Sequence, residues 1–184
     1  MDMGLVLHVP GREGVAPLLL RVWAAGDVPE LIEAYRDPVM LRWTRFHVRD
    51  ERDAGQWLEK QWKGWRDGDR LSFAVTEPDP GTGVHRLVAN VVVKGLVAGA
   101  SFAEVGYWTA RAARGRGVAG RALEALTTWV FEARGLEGLR LLHEVGNLAS
   151  CRVARKCGYV LEGVVPATPP FPCDGHVHVR RAPC

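Results

Sequence analysis

No two of the four cysteines in this 184-residue chain form a C-x-x-C pair: they stand at Cys151, Cys157, Cys173 and Cys184. At that density they read as reduced thiols, not as a disulfide framework. No apolar run approaches the roughly 20 residues that a membrane span requires. The stretch from Met1 to Gly14 lacks a basic segment followed by an apolar one, so no secretory signal is expected. A cytoplasmic protein with no membrane partner follows. The formal net charge is only +3, too small to argue for a nucleic-acid binder, although arginine is crowded from Arg111 to Arg121 and from Arg152 to Lys156. Internal repeats and charge-only tails are also missing.

What remains is an ordinary globular composition, 47% hydrophobic and 24% charged, which fits a single domain over residues 1–184. The first 16 residues are polar and glycine-containing. Leu18 to Trp23 then reads as a strand by its aliphatic and aromatic content. Asp27, with Pro29 in the first turn and Glu30 three residues on, predicts a helix of capping-box type that ends near Arg36, before Asp37-Pro38. From Arg52 to Arg66, Trp57, Leu58, Gln61, Trp62 and Trp65 recur at helical spacing; such aromatic stripes usually pack on a core, with a substrate-pocket role as the alternative. Leu71–Thr76 and Arg86–Lys94 read as a hairpin around a turn-rich loop, and Phe102–Thr109 as a further strand.

The period near 3.6 from Gly117 to Arg134 predicts a helix stopped by Gly135. Strand Leu139–Val145, helix Leu148–Cys157 and strands Tyr159–Val164 and His176–Arg180 complete the chain. This order predicts an α/β or α+β domain, a mixed sheet with helices on its faces.

Between a strand and a helix lies Arg114-Gly115-Arg116-Gly117-Val118-Ala119-Gly120, where amides at a helix N-terminus, unhindered at glycine, favour an anion such as a phosphate. Gly115 and Gly120 have P-loop spacing. Arg121 and Ala122, however, occupy the places of the required lysine and magnesium-binding hydroxyl. Gly115, Gly117 and Gly120 also match G-x-G-x-x-G, yet the turn follows the fourth or fifth strand and too little chain remains for a second mononucleotide half. A plain glycine turn before a helix is the bland alternative.

Arg114-x-x-Gly117-x-Ala119 resembles the pyrophosphate-binding signature of GNAT acetyltransferases. Glu104-Val105-Gly106-Tyr107-Trp108 looks like the preceding strand of that family. Asn147-Leu148-Ala149-Ser150 followed by Lys156-Cys157-Gly158-Tyr159 looks like the downstream segment of its RimJ/RimL-like branch. The resemblance spans about Leu18 to Val164. It implies a GNAT fold, a mixed and mostly antiparallel sheet of six to seven strands with helices on both faces, and an acyl-CoA co-substrate, acetyl-CoA first, with succinyl-CoA as the alternative donor. It further implies that Tyr107, Trp108 and Thr109 hold the pantetheine and thioester through their backbone. Arg114, Gly115, Arg116, Gly117, Val118, Ala119 and Gly120 would hold the pyrophosphate, and Asn147 would contact the pantetheine arm. Ser150 would sit beside the sulfur as a catalytic hydroxyl. Dimers are frequent in the family, and Pro166 to Pro172 is a candidate homodimer contact.

Acyl transfer to an amine needs a placed thioester, a route for the amine proton and protonation of the departing thiolate. Glu104, on the strand leading into the turn, is the candidate general base, with a solvent-facing strand carboxylate as its plain counterpart. Asn147 is equally an excellent helix N-cap. Arg152, Arg155 and Lys156 are candidates for the adenosine phosphate, or solvated helix positions. Cys151 neighbours Ser150, but direct transfer needs no acyl-enzyme and no His–Cys pairing is legible. Cys173, Asp174, His176 and His178 invite a metal reading, since the two histidines share a strand face. Without a second close Cys or His group no metal is expected, and His143-Glu144 falls short of H-E-x-x-H because residue 147 is asparagine. A primary amine, either a protein N-terminal α-amine or a small molecule, is the expected acceptor. A non-catalytic CoA-binding module is the alternative from outside the enzymes.

Overall fold

A computed structural model describes residues 4–44, 46–168 and 172–183; Cys184 and residues 169–171 of the proline-rich segment lie outside the described residues. One eight-stranded sheet has the order β1-β2-β3-β4-β5-β6-β8-β7. Its strands are β1 (Val6–Val9), β2 (Leu18–Val22), β3 (Arg70–Pro78), β4 (His85–Lys94), β5 (Phe102–Thr109), β6 (Gly138–Glu144), β7 (Val160–Val165) and β8 (Gly175–Arg181). The helices are α1 (Val28–Tyr35), α2 (Pro38–Trp43), α3 (Glu51–Asp67), α4 (Val118–Arg134) and α5 (Leu148–Lys156). Every ladder is antiparallel except β5 with β6.

Two elements depart from the sequence reading, and the first raises the strand count to eight. Polar residues hide β1, but Leu5, Leu7 and Val9 alternate toward the core while Val6 and His8 do not, the pattern of a half-buried edge strand. Asp37-Pro38, read as a helix stop, also starts α2: Asp37 accepts from the Val39 amide at 3.1 Å. The capping box at Asp27 and Glu30 does not form. The Asp27 carboxylate is taken by Arg21 at 2.6 and 2.8 Å and by the Ala24 amide at 2.8 Å. Glu30 accepts instead from the Leu87 amide at 3.0 Å.

Alternation along the strands makes two cores. One packs Val91, Val93, Ala103, Val105 and Leu139 against Val118, Leu123, Leu126 and Val130 of α4 and Ala154 of α5. The other packs Trp23, Ala74 and Leu87 against Leu31, Tyr35, Met40, Trp57 and Leu58 of α1, α2 and α3. Ala89 pairs with Val75 and Leu87 with Thr76, so Val88 is an extra residue, a bulge that turns the neighbours Val88 and Ala89 into the same core and Leu87 into the other. Of the aromatic stripe on α3, Trp65 is fully buried and donates to the Ser72 carbonyl at 2.9 Å, and Trp62 donates to the Trp23 carbonyl at 2.8 Å. Core packing is therefore the main role of the stripe. Among the described residues no helix is long and apolar enough to cross a membrane.

Two glycines of α3 predict opposite outcomes. A Cβ at Gly64 would meet the Arg70 Cβ and carbonyl oxygen at 2.7 Å, whereas one at Gly55 meets nothing within 4 Å. In urea unfolding, Gly64→Ala should lose about 1–3 kcal/mol through overpacking. Gly55→Ala should gain roughly 0.5–1 kcal/mol from helix propensity.

Candidate active site

The parallel ladder of β5 and β6 runs only from Phe102 opposite Gly138 to Val105 opposite Leu141. Both strands continue beyond it, β5 to Thr109 and β6 to Glu144, and the unpaired ends open a groove of about 1770 Å³. The groove is lined by Gly106 to Thr109, by Arg114 to Gly120, and by Asn147 and Ser150. The sequence-predicted CoA residues are thus gathered on one cleft.

Gly115 and Gly117 adopt φ of +74° and +76°, which a side chain tolerates poorly. Gly117 is the N-cap of α4 and supplies no side-chain cap, and the first intrahelical bond reaches it from the Arg121 amide at 3.1 Å. The amides of Val118, Ala119 and Gly120 therefore precede the helical ladder, at the positive end of a 17-residue dipole. The arginines around these amides have partners within the protein. Arg114 is ion-paired with the buried Asp37 and donates to the Thr109 carbonyl at 3.2 Å. Arg116 pairs with Glu77 at 2.7 Å. Arg121 donates to the carbonyls of Ala16 and Pro10 at 2.9 and 3.0 Å. These three side chains brace the turn against α2, the β3–β4 hairpin and the segment between β1 and β2.

On the opposite wall, Asn147 caps α5 by accepting from the Ser150 amide at 3.1 Å. The capping reading of Asn147 is thus realised, with its amide group facing the same groove. The Tyr107 hydroxyl donates to Ser150 Oγ at 3.2 Å, leaving the serine its own proton to give. Burial pushes the Tyr107 phenol up to about 12. Arg152, Arg155 and Lys156 are exposed on α5, and Arg152 and Lys156 border the groove.

Glu104 lies within the paired part of β5, and its Oε1 is 2.6 Å from Lys94 Nζ. The groove also holds residues that the sequence reading did not single out. Arg70, whose guanidinium donates to Gln61 at 3.0 Å, is lowered by burial, and the Tyr35 phenol is pushed up to about 12 by the same cause. Asn90 accepts from Trp23 Nε1 at 3.0 Å and from Ser72 Oγ at 2.7 Å. All three line the groove, with Trp57 and Trp108. They come from α1, β3 and β4, far apart in the chain, so no local motif could have assembled them; buried polar side chains were the only available signal.

Cys173 and Asp174 do not join the two histidines of β8: Cys173 is exposed and Asp174 accepts from the Ala167 amide at 2.7 Å. The His–Cys pairing that the sequence did not reveal is present, with Cys151 Sγ 3.2 Å from His176 Nδ1. Next to it are His143 and His178, both held below the usual histidine range by burial.

A sheet parted beside a glycine-headed helix, with amides facing the gap, defines the acyl-CoA N-acyltransferase class of fold. The sequence profile of the acetyltransferase (GNAT) domain matches residues 17–160, and the chain belongs to the GNAT acetyltransferase family as an acyl-CoA-dependent N-acetyltransferase. No curated protein matches the sequence. Solved structures that share the fold include a Vibrio cholerae protein provisionally named a ribosomal-protein-serine acetyltransferase, with TM-score 0.83, 24% identity and coverage of 99% of this chain and 100% of that one. RimL, a ribosomal-protein α-N-acetyltransferase in complex with CoA, has TM-score 0.79 and 18% identity, covering 95% and 97%. RimJ of Mycobacterium smegmatis, solved with a CoA disulfide, has TM-score 0.79 and 18% identity, covering 98% and 88%.

Gly117→Glu places a carboxylate and a strained φ at the anion site. Charge-assisted amide bonds contribute about 1.5–3 kcal/mol each, so CoA affinity measured by calorimetry should fall by at least about tenfold; unchanged affinity would show that the turn does not hold the pyrophosphate. A second expectation concerns alkaline pH. Burial raises Cys157 from 9.0 to about 11, and Tyr35 and Tyr107 from 10.0 to about 12. A raised pKa gives stability that is complete below the unfolded value and lost as pH rises through the folded one. The urea midpoint should therefore hold up to about pH 9 and decline toward pH 12, less steeply in Tyr107→Phe.

Proposed function

We propose that the protein transfers an acetyl group from acetyl-CoA to the α-amine of a protein N-terminus, or to a primary amine of a small molecule, by direct attack in a ternary complex. The observation that carries this reading is the hydroxyl pair of Tyr107 and Ser150 on the wall of the groove whose other end is the glycine-headed α4. Pyrophosphate on the amides at 115–120 directs the pantetheine arm along the unpaired end of β5 toward Ser150. The neutral amine attacks the thioester carbon from the side of Glu104, Tyr35 and Arg70. A C–N bond forms, the carbonyl oxygen takes the charge, and collapse breaks the C–S bond.

Two protons then need a route. The ammonium proton leaves through water to Glu104, and the CoA thiolate takes the proton of Ser150 Oγ as the serine regains one from the Tyr107 hydroxyl, which solvent resupplies. Tyr107, with a phenol near 12, stays protonated across neutral pH and keeps its hydrogen bond to the serine. An α-amine with a pKa near ~8 is already partly neutral, whereas a lysine near ~10.4 requires a stronger base. Glu104, engaged by Lys94, suits the former.

CoA-thiol release by the purified protein, screened over acetyl-CoA and succinyl-CoA with peptides and small amines, tests the reading. Acetyl-CoA with an α-amine acceptor should give the highest kcat/KM. Ser150→Ala should lower kcat about 10²-fold with little change in KM, the scale of a lost general acid, and Glu104→Gln should lower kcat as well. CoA binding without thiol release from any pair would instead identify a non-catalytic CoA-binding module.

A further inference from the structure

Behind Ser150, on the side away from the turn, four side chains converge from three elements. His143 of β6 faces His176 of β8 across the ladder, and His178 follows two residues on, so all three rings lie on one face. Cys151, the residue after Ser150, comes down onto them from α5. One donor atom from each of the four lies within 4.8 Å of every other. The rings are mutually close, with centroids 5.2 Å apart for His143 and His178, 5.5 Å for His143 and His176, and 6.0 Å for His176 and His178.

The hydrogen bonding shows which atoms face inward. His143 Nδ1 is 2.8 Å from the Glu144 carbonyl and His178 Nδ1 is 3.3 Å from the Tyr159 carbonyl. A carbonyl only accepts, so each Nδ1 carries the proton and each Nε2 keeps its lone pair. Both Nε2 atoms are buried and without a hydrogen-bond partner among the described residues, and His178 has no exposed surface at all. Two buried acceptors left unsatisfied are costly unless something binds them. Backbone carbonyls that fix the tautomer of a ligating histidine are the usual outer support of a metal centre. A Cys–His nucleophile would use only Cys151 and His176 and leave both Nε2 atoms unexplained.

We propose that His143, Cys151, His176 and His178 form a four-ligand zinc site that fastens α5 to the β6–β8 ladder behind the acyl-transfer groove. One thiolate and three neutral imidazoles are a zinc donor set, and four protein ligands close the shell, as in structural sites. A tetrahedral zinc with bonds of about 2.0–2.3 Å brings its ligand atoms to roughly 3.3–3.7 Å; the Cys151–His176 separation of 3.2 Å is already there. The site supplies no reacting group. Its consequence is positional, since Cys151 and the hydroxyl-bearing Ser150 share one turn of α5.

The test reads metal, not activity, and so stands apart from the acetyl-transfer reading. Protein prepared without a polyhistidine tag should carry about one zinc per chain by mass spectrometry of the metal. Cobalt exchanged into it should show the intense visible bands of a tetrahedral site, with a thiolate charge-transfer band in the near ultraviolet. Cys151→Ser should remove the charge-transfer band and lower zinc content at least tenfold. His178→Gln should lower it similarly, whereas Cys173→Ser should keep both metal and spectrum. A chelator should lower the thermal midpoint of the parent and leave that of Cys151→Ser unmoved. A parent chain that takes up no zinc at micromolar concentrations, or full metal content in Cys151→Ser, would overturn the proposal; if His178→Gln does not fold, the parent's cobalt spectrum decides.

Discussion

Parallel pairing between β5 and β6 stops after Val105 and Leu141, and the groove exists because it stops there. A sheet that kept its ladder would spend the backbone groups of Gly106 to Thr109 on a neighbouring strand. Parted, the strands leave them facing a space that a ligand fills. The separation is held by what is wedged beside it: α4 packs its apolar face on β4 and β5, and α5 packs against α4 and β7. Ser150, Tyr107 and the amides at 115–120 meet only because these two helices start on opposite sides of that gap.

The arginines of the turn illustrate how charge is used for shape. Arg114, Arg116 and Arg121 are each committed to the protein, through Asp37, Glu77 and two carbonyls. They hold the glycine turn in a conformation that leaves the first amides of α4 outside the helical ladder, and the glycines supply positive φ where a side chain would be strained. Asp37 does two jobs, since it caps α2 and pairs with Arg114. It thereby couples α2 to the glycine turn.

Local signals that depend on one segment were legible in the sequence. Period-3.6 apolar spacing and Gly135 delimit α4, and the positive-φ glycines mark the anion turn. Phe102–Thr109, read as a strand, is β5. Signals carrying two meanings misled. Asp37-Pro38 both ends one helix and starts another, and the alternation of Leu5, Leu7 and Val9 was outweighed by the polar residues around it. Asp27 and Glu30 have capping-box spacing, yet Arg21 and the Leu87 amide offer partners that only the packed fold brings near.

By itself, then, the sequence determined the donor side: a glycine-rich turn opening a long amphipathic helix, with Asn147 and Ser150 one strand later. Those features are contiguous in the chain and follow from backbone freedom and periodicity. The tertiary structure decided what depends on elements distant in sequence. It set Tyr107 against Ser150, gathered Tyr35, Arg70 and Asn90 on the groove wall, and joined His143 and Cys151 to His176 and His178 in place of Cys173 and Asp174. The physical reason is strand register: pairing β6 with β8 puts His143 opposite His176, and no spacing within either strand specifies that pairing.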